Sequence, residues 1–337
     1  MPLTLAERVR SGDARAIARA ISLIEDEAAS AAGLVRDIFP HTGHSYLVGV
    51  TGPPGAGKST LVDRLTAATR SSGETVGVIC VDPTSPFTGG AILGDRLRMQ
   101  AHAHDDQVFI RSMATRGHMG GLARATSDAA LVLDAAGKSL VIIETVGVGQ
   151  DEVDIVRTAD VSIVVLVPGT GDDVQALKAG IMEIADIFVV NKCDRDGADR
   201  MVSSIESNLA LQAYGQGEWR PPIVKTEATT GHGVDQLWAT VQQFRAHSDD
   251  VAAGFSRTNP SSDVASGFSR TNRARRLKAR NEFRLRDLLT HRFMELVEHD
   301  LLGAGEFDTL VARIAAREVD PYTAASDILS RALRPKS

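Results

Sequence analysis

The sequence has few of the residues that stabilise small secreted proteins or bind a structural metal. Only two of its 337 residues are cysteine, Cys80 and Cys193, and each lies in a hydrophobic stretch without a Cys-x-x-Cys pattern. This argues against a disulfide framework and against a zinc knuckle, and it fits a reducing compartment. Aromatic residues make up 4% of the chain and hydrophobic residues 43%, so aliphatic side chains must build the core.

An excess of positive charge and long apolar runs are also missing. The net charge is -6 and the pI about 5.9, which argues against broad nucleic-acid binding because neutralising phosphates needs a basic surface. The run of basic residues at 270–280, five arginines and Lys278, is better explained by a solvated helix face or a dimer contact. No signal-peptide-like run opens the chain, and no apolar segment reaches membrane-spanning length. We therefore expect a cytoplasmic protein that binds neither nucleic acid nor membrane.

Helical and strand-like patterns alternate along the chain. Apolar residues at three- and four-residue steps predict two or three helices within 3–38, further helices within 273–302, and a last one after Pro321. Between these regions, short β-branched runs alternate with helical stretches, which predicts a mostly parallel α/β sheet with helices on both faces. The predicted strands are 46–50, 76–81, 140–143, 161–167, 187–190 and 223–225.

Changes in these patterns predict the domain organisation. Residues 250–259 recur almost unchanged at 263–272, and one repeat of polar, Gly- and Ser-containing sequence cannot form a stacked array. We therefore interpret this duplication as a mobile loop. The predicted parts are an N-terminal helical extension (1–43), a central α/β domain (44–248), a flexible duplicated loop (249–272) and a C-terminal helical dimerisation arm (273–337).

The strongest motif is Gly-Pro-Pro-Gly-Ala-Gly-Lys-Ser at 52–59, between a predicted strand and a predicted helix. This is the Gly-x-x-x-x-Gly-Lys-Ser pattern of a P-loop, whose backbone N–H groups converge on nucleotide phosphates at a helix N-terminus. Lys58 would contact the outer phosphates, and Ser59 would bind Mg²⁺. The predicted nucleotide-binding residues are Gly52, Pro53, Pro54, Gly55, Ala56, Gly57, Lys58, Ser59 and Thr60.

A magnesium ion bound to Ser59 also needs a carboxylate. Glu144 follows the predicted strand 140–143 and begins a Glu-x-x-Gly pattern, which is Walker-B-like with Glu in place of the usual Asp. Asp82 ends another predicted strand, and Asp95 lies in the loop at 94–99. We predict that the metal ligands come from Ser59, Asp82, Asp95 and Glu144.

Residues 191–194 read Asn-Lys-Cys-Asp directly after a predicted strand, the Asn-Lys-x-Asp pattern of guanine-binding proteins. The Asp carboxylate accepts hydrogen bonds from N1–H and the exocyclic amine of guanine, whereas adenine has no matching donors on that edge. The pattern therefore predicts GTP and GDP as ligands. The predicted base-side residues are Asn191, Lys192 and Asp194, with Glu227, Ala228 and Thr229 backing the base from the loop after 223–225.

Together these segments resemble the MeaB/ArgK family of GTPases, which includes methylmalonyl-CoA-mutase-associated chaperones and is grouped with nickel-insertion GTPases. The resemblance extends over most of the chain. It implies a homodimer whose GTP cycle protects, reactivates or loads an adenosylcobalamin-dependent acyl-CoA mutase of the methylmalonyl-CoA mutase type. It also implies metal-side carboxylates at Asp82, Asp95 and Glu144, and a partner-sensing segment that includes Lys178. The further blocks that carry the resemblance are 81–85, 94–99, 111–118, 144–150, 175–183 and 321–325.

The catalytic mechanism is incomplete in the sequence. Val148 stands directly after the Glu-x-x-Gly motif, where small GTPases have the Gln that orients the attacking water. Gln150, two residues later, is not assumed to replace it. We predict slow intrinsic hydrolysis with Lys58 and Glu144 in catalytic roles, completed by a partner or by a dimer-supplied group such as Lys178 or Arg116.

Two other functions fit the same nucleotide motifs. A nickel-type metallochaperone GTPase would need visible metal ligands, and the pair His102 and His104 lacks the Cys or His-rich tract of such sites. A transport-associated kinase or ATPase would need a second substrate pocket, which the sequence does not identify. Glu227, where many GTPases have Ser, and the duplication at 250–272 both depart from the family pattern.

Overall fold

The computed structural model describes residues 2–82, 100–102, 104–114, 121–145, 159–169, 181–215, 217–255, 273–303 and 305–332. The chain divides into two compact units, Met1–Lys278 and Ala279–Ser337. In chain order the elements are α1 Leu5–Arg10, α2 Ala14–Glu25, α3 Ala31–Ile38, β1 Tyr46–Thr51, α4 Lys58–Ser71, β2 Val76–Asp82, β3 Val108–Ala114, α5 Gly121–Ala135, β4 Leu140–Glu144, β5 Val161–Leu166, α6 Ile181–Ile184, β6 Ile187–Asn191, α7 Ala198–Leu209, β7 Ile223–Thr226, α8 Val234–Phe255, α9 Arg273–Leu296, α10 Glu306–Ala315 and α11 Pro321–Ala332.

A parallel sheet organises the first unit. In the described part of the chain it has seven strands in the order β3-β2-β4-β1-β5-β6-β7. Every residue of β1, β4, β5 and β6 is buried, as expected for a sheet covered by helices on both faces. The predicted α/β fold is confirmed. The carboxyl ends of all these strands meet at one edge, where open α/β sheets bind their ligands.

The two faces of the sheet pack against different helices. Tyr46, Val48 and Val50 of β1 point to one face, where they share a core with residues of α4 and α8. The intervening Leu47 points to the other face, into a core formed with α1, α2, α3 and α5. This alternation follows from the two-residue period of side chains along a strand. A third cluster packs α7 against β5 and β6.

The N-terminal extension forms three helices within its described residues, in agreement with the predicted two or three. Thr4 and Glu7 form a capping box at the start of α1, and the Asp13 side chain caps α2. These bonds serve backbone N–H groups that have no partner within the helix. At the end of α2, Glu25 pairs with Arg111 of β3, and Glu27 just after the helix pairs with Arg124 of α5. The extension is therefore packed and ion-paired onto the sheet domain, and the first unit includes it.

Two features of the fold differ from the sequence prediction. Strand β3 was not predicted, although it pairs with β2 along its whole length. Helix α8 continues to Phe255, so the start of the segment 249–272 is helical, which Ala252 and Ala253 favour. The rest of the duplication, 256–272, lies outside the described residues, and the domain boundaries themselves stay a prediction. Every helix in the described ranges is too short or too polar to cross a membrane.

The second unit contains the remainder of α9, a short π-helical turn at Val297–Leu301, α10 and α11. Arg331 of α11 pairs with Glu306 of α10, and Val297, Leu302 and Ala324 are buried. Apolar side chains that remain exposed in this unit include Phe283, Leu285, Leu289, Phe293, Phe307, Val311 and Tyr322.

Candidate nucleotide-binding site

The predicted P-loop joins β1 to α4 at the centre of the sheet. Gly52, Gly55 and Gly57 have φ of +144°, +75° and +84°, values that residues with a Cβ atom rarely adopt. A Cβ atom on Gly52 would lie 2.0 Å from the carbonyl oxygen of Val165, and one on Gly57 would lie 2.6 Å from Nδ2 of Asn191. At Gly55 a Cβ atom would meet nothing within 4 Å. The loop therefore needs glycine where it passes β5 and β6, and it is open at its tip.

Lys58 is the first residue of α4 and is only 6% exposed. Its Nζ donates to the carbonyl oxygens of Gly52 at 2.7 Å and Pro53 at 3.2 Å, so the ammonium group lies inside the curve of the loop. Among the described residues no side chain caps the start of α4. The N–H groups of its first turn, with the positive end of the helix dipole, are thus available to an anion. The Lys58 ammonium and the start of α4 both fit the phosphates of a nucleoside triphosphate.

The predicted metal side of the site brings Ser59 and Glu144 together. Ser59 Oγ donates to Glu144 Oε1 at 2.6 Å, because β4 pairs with β1 and places Glu144 beside the P-loop. A hydroxyl and a carboxylate are oxygen ligands of the kind that Mg²⁺ prefers, so these residues fit the ion. For Asp82 only the backbone at the end of β2 is described, and Asp95 and Lys178 lie outside the described residues.

The predicted base motif holds the P-loop in place. Asn191 ends β6, and its Nδ2 donates to the carbonyl oxygen of Ala56 at 2.8 Å. Lys192 has a positive φ of +55°, and its Nζ donates to the carbonyl oxygen of Gly55 at 2.8 Å. Since a non-glycine residue rarely adopts such a φ, the backbone strain is consistent with a functional constraint. Asp194 is exposed, so a base can approach its carboxylate.

Asn191 also fixes the loop that was predicted to back the base. Its Oδ1 accepts from Thr226 Oγ1 at 3.0 Å and from the backbone N–H of Ala228 at 3.1 Å. Glu227 is part of a turn in which its backbone N–H donates to the carbonyl oxygen of His232, and its Oε1 accepts from Thr229 Oγ1 at 3.2 Å. The structure therefore places the 191–194 motif between the P-loop and the 227–229 loop.

Sequence reasoning missed Thr226 as a member of this network. Thr226 is fully buried at the end of β7, and its hydroxyl serves Asn191. Thr51 and Thr145 were also missed: their hydroxyls are 3.0 Å apart and tie the ends of β1 and β4 together. A Thr within two residues after the end of a predicted strand is the sequence signal that all three share.

The histidines considered for a metal-delivery function do not form a joint site. His102 Nε2 lies 3.2 Å from the backbone carbonyl oxygen and 3.2 Å from Oδ1 of Asp63, whereas His104 is exposed. Within the described residues, no group of three or more His, Cys, Asp and Glu side chains is arranged to hold a metal ion.

Comparison with known proteins places the chain in a family. Residues 17–275 match the family model described as "Methylmalonyl Co-A mutase-associated GTPase MeaB". A putative GTPase of Pyrococcus abyssi is 47% identical over 332 residues, covering 96% of this chain and 95% of the relative. The mouse protein named "Methylmalonic aciduria type A homolog, mitochondrial" is 36% identical over 204 residues, covering 60% of this chain and 49% of the relative.

A solved structure is similar to this chain over nearly its whole length. The crystal structure of a LAO/AO transport system kinase has a TM-score of 0.67 and 25% identity, and the match covers 97% of this chain and 95% of that chain. The predicted family and the predicted GTPase activity are both confirmed. With its P-loop at the centre of the parallel sheet and its Asn-Lys-x-Asp motif beside it, this chain belongs to the MeaB family of GTPases.

Proposed function

We propose that this GTPase uses Mg²⁺ and acts as a chaperone that protects, reactivates or loads an adenosylcobalamin-dependent acyl-CoA mutase of the methylmalonyl-CoA mutase type. The proposal includes a homodimer. It is supported by the family description, which names a methylmalonyl-CoA mutase, and by the mouse relative, whose name refers to methylmalonic aciduria. The contacts of Lys58, Ser59 and Asn191 carry the nucleotide part of the proposal, and the family description carries the mutase part.

The residues around the P-loop have separable roles in this proposal. The backbone N–H groups of 52–59 and the N-terminus of α4 bind the phosphates, and Lys58 exchanges a carbonyl contact for a phosphate oxygen when the nucleotide enters. Asp194 reads the guanine edge, and Asn191 keeps the P-loop and the 227–229 loop at a fixed distance. Positioning of the triphosphate is the main contribution of such a site to phosphoryl transfer.

Ser59 and Glu144, with Asp82 and Asp95, are the proposed side chains that hold Mg²⁺ directly or through water. The ion would supply neutralisation of the charge that develops on the phosphate oxygens during transfer. Because Ser59 already donates to Glu144, its hydroxyl is oriented before the ion arrives.

Hydrolysis is proposed to be slow without a partner. Val148 stands where small GTPases place the water-orienting Gln. An attacking water must then be oriented by a group from the mutase or the second protomer, with Lys178 and Arg116 as the residues of this chain proposed to assist. Water attacks the γ-phosphorus, the bond to the β–γ bridging oxygen breaks, and GDP and phosphate are the products.

Steady-state GTP turnover with and without methylmalonyl-CoA mutase tests this function. We expect the chain alone to turn over at roughly 10⁻⁴ to 10⁻² s⁻¹, the range of GTPases that lack a complete catalytic group, and to be stimulated more than about tenfold by the mutase. In parallel, the decay of mutase activity during turnover should slow when the chain and GTP are both present.

Two variants control this experiment. Lys58→Ala should remove both the stimulated turnover and the protection, whereas Lys225→Ala, which alters an exposed lysine of β7, should change neither. Fast turnover that is unaffected by the mutase would contradict the proposal. Transfer of the γ-phosphate to a protein instead of water would favour the transport-associated kinase alternative.

A further inference from the structure

Arg64 lies on the phosphate-binding helix α4, yet its side chain bonds to the opposite part of the pocket. Its Nε donates to the carbonyl oxygen of Ala228 at 3.3 Å, and its Nη2 donates to that of Thr229 at 3.0 Å. Both carbonyls belong to the loop between β7 and α8 that is proposed to back the base. A guanidinium presents its donors in a rigid planar fork, so two bonds to successive carbonyls fix orientation as well as distance.

The same loop is held from its inner side. The backbone N–H of Ala228 donates to Asn191 Oδ1 at 3.1 Å, and Asn191 Nδ2 donates to the carbonyl oxygen of Ala56 at 2.8 Å. Ala56 lies in the P-loop, which leads directly into α4 and so to Arg64. Hydrogen bonds therefore connect the P-loop to Asn191, Asn191 to Ala228, and Ala228 to Arg64. Helix α4 connects Arg64 back to the P-loop.

The loop itself is compact between these two attachments. The backbone N–H of Gly231 donates to the carbonyl oxygen of Glu227 at 2.9 Å, and that of Glu227 donates to the carbonyl oxygen of His232 at 3.0 Å. Gly233 has φ +76°, and a Cβ atom there would lie 2.0 Å from the carbonyl oxygen of Lys225. The loop is therefore bonded within itself, and Asn191 and Arg64 attach it to the rest of the pocket from two sides.

We propose that Arg64 is a positioning residue that locks the base-backing loop to α4 and thereby keeps the base half and the phosphate half of the pocket at a fixed separation. The inference rests on the proposed placement of the guanine nucleotide between the P-loop and residues 191–194. Fixing the loop before the nucleotide binds removes part of the ordering cost from binding. Arg64 therefore affects ligands that engage both halves and leaves ligands of the phosphate half unaffected.

The test uses two ligands and three variants of the full chain. GDP engages both halves of the pocket, whereas inorganic pyrophosphate engages only the P-loop; both are titrated by calorimetry in Mg²⁺. The variants are Arg64→Ala, Arg64→Lys and the matched control Arg70→Ala, which removes an arginine of the same helix whose Nε bonds to Asp105 at 2.8 Å. Thermal unfolding of each variant shows that it is folded.

We expect Arg64→Ala to weaken GDP binding about three- to tenfold, the effect of losing one or two hydrogen bonds, without changing pyrophosphate binding. Arg64→Lys should fall between the unaltered chain and Arg64→Ala, and Arg70→Ala should bind both ligands normally. Amide hydrogen exchange of the ligand-free chain should become faster at 227–231 in Arg64→Ala and stay unchanged at 52–57.

Unchanged GDP affinity in Arg64→Ala, an equal loss for GDP and pyrophosphate, or unchanged exchange at 227–231 would each overturn the role of Arg64. If the unaltered chain bound no GDP at all, the proposed pocket would fail, and this inference with it. Normal GDP binding that is insensitive to Arg64 would instead overturn the inference alone.

Discussion

At the scale of single residues, Lys58 shows how the site holds a buried positive charge in place before a ligand binds. Lys58 is 6% exposed, and its ammonium group donates to two P-loop carbonyl oxygens. A buried charge needs such partners, because an unpaired one costs several kcal/mol. The carbonyl contacts also hold the ammonium where a phosphate oxygen can replace one of them.

Replacing Lys58 by Ala should weaken GDP and GTP binding by about tenfold to a hundredfold, the usual effect of losing a hydrogen bond to a charged group. Calorimetric titration in Mg²⁺ measures this directly. The Lys225→Ala control should retain the affinity of the unaltered chain, and a Lys58→Ala chain with normal affinity would place the phosphates elsewhere.

Cys193 lies inside the guanine motif, and its environment sets its reactivity. Partial burial raises the pKa of its thiol above the ordinary value, and the neighbouring charge of Asp194 raises that pKa further. The thiol is therefore neutral near pH 7, and the reactive thiolate is scarce.

We predict that iodoacetamide modifies Cys193 slowly at pH 7 and that the rate keeps rising with pH beyond 9, where an ordinary exposed cysteine approaches its plateau. Peptide mass spectrometry separates this modification from that of the buried Cys80. A rate that already levels off near pH 8 would contradict the raised pKa.

At the scale of elements, the P-loop depends on glycine for two separable reasons. Gly55 and Gly57 both have left-handed φ, but only a Cβ atom on Gly57 would collide, at 2.6 Å from Nδ2 of Asn191. A substitution at Gly55 therefore tests the cost of the backbone conformation alone, whereas one at Gly57 adds the cost of the collision with Asn191.

Gly55→Ala should destabilise the ligand-free chain by about 1–2 kcal/mol, the cost of a left-handed conformation for a residue with a side chain. Gly57→Ala should cost more, since it also displaces the Asn191 amide from the carbonyl of Ala56. Urea unfolding measures both, and equal losses would show that the contact with Asn191 has no effect on stability.

The opposite end of β6 is fixed by a buried ion pair. Arg276 of α9 donates to both carboxylate oxygens of Asp186, at 2.6 Å and 2.9 Å, and to the carbonyl oxygen of Asp160. Burial alone would lower the pKa of the Arg276 guanidinium, but the charge and hydrogen bonds of Asp186, together with the charge of Asp160, outweigh burial and raise the pKa. The Arg276 guanidinium therefore stays charged at neutral pH.

Arg276→Leu should lower the free energy of unfolding by about 3–5 kcal/mol, since it leaves the Asp186 carboxylate buried without its countercharge. Arg286→Leu, on the same helix but in an exposed pair with Glu282, should cost less than about 1 kcal/mol. The double variant Asp186→Asn/Arg276→Leu should recover part of the loss. Chemical denaturation measures all three, and similar losses for the two single variants would contradict the assignment.

How far the sequence predicts these elements depends on how local their signals are. The central strands are continuous apolar runs because both faces are buried, so β1, β4, β5 and β6 were predicted nearly to their ends. Strand β3 lies at the edge, and Arg111 and Ser112 interrupt its apolar pattern. Arg111 is polar there because it pairs with Glu25 of α2, a contact that no local pattern contains.

The same distinction holds for the candidate site. The P-loop and the base motif were found because their chemistry needs fixed residues at fixed spacing. Arg64 and Thr226 were not found, because their partners are distant in sequence. Arg64 donates to the backbone carbonyl oxygen of Thr229, and Thr226 donates to the side chain of Asn191. Tertiary contacts of this kind become visible only when the strands are paired.

At the scale of the whole molecule, the pocket is assembled across the sheet. The proposed phosphate side lies at the ends of β1 and β4, and the proposed base side lies at the ends of β6 and β7. Asn191 and Arg64 connect the two sides. This arrangement explains why a sheet with β1 at its centre suits a ligand with a triphosphate at one end and a purine at the other.

The assignment of guanine to Asp194 is the central claim, and calorimetric titration of the unaltered and Asp194→Asn chains with GDP, XDP and ADP in Mg²⁺ tests it most directly. The unaltered chain should prefer GDP. Asp194→Asn should bind GDP about tenfold to a hundredfold more weakly and should gain affinity for XDP, because its amide can donate to the xanthine O2. Preference of the unaltered chain for ADP, or the same nucleotide preference in both chains, would contradict the account.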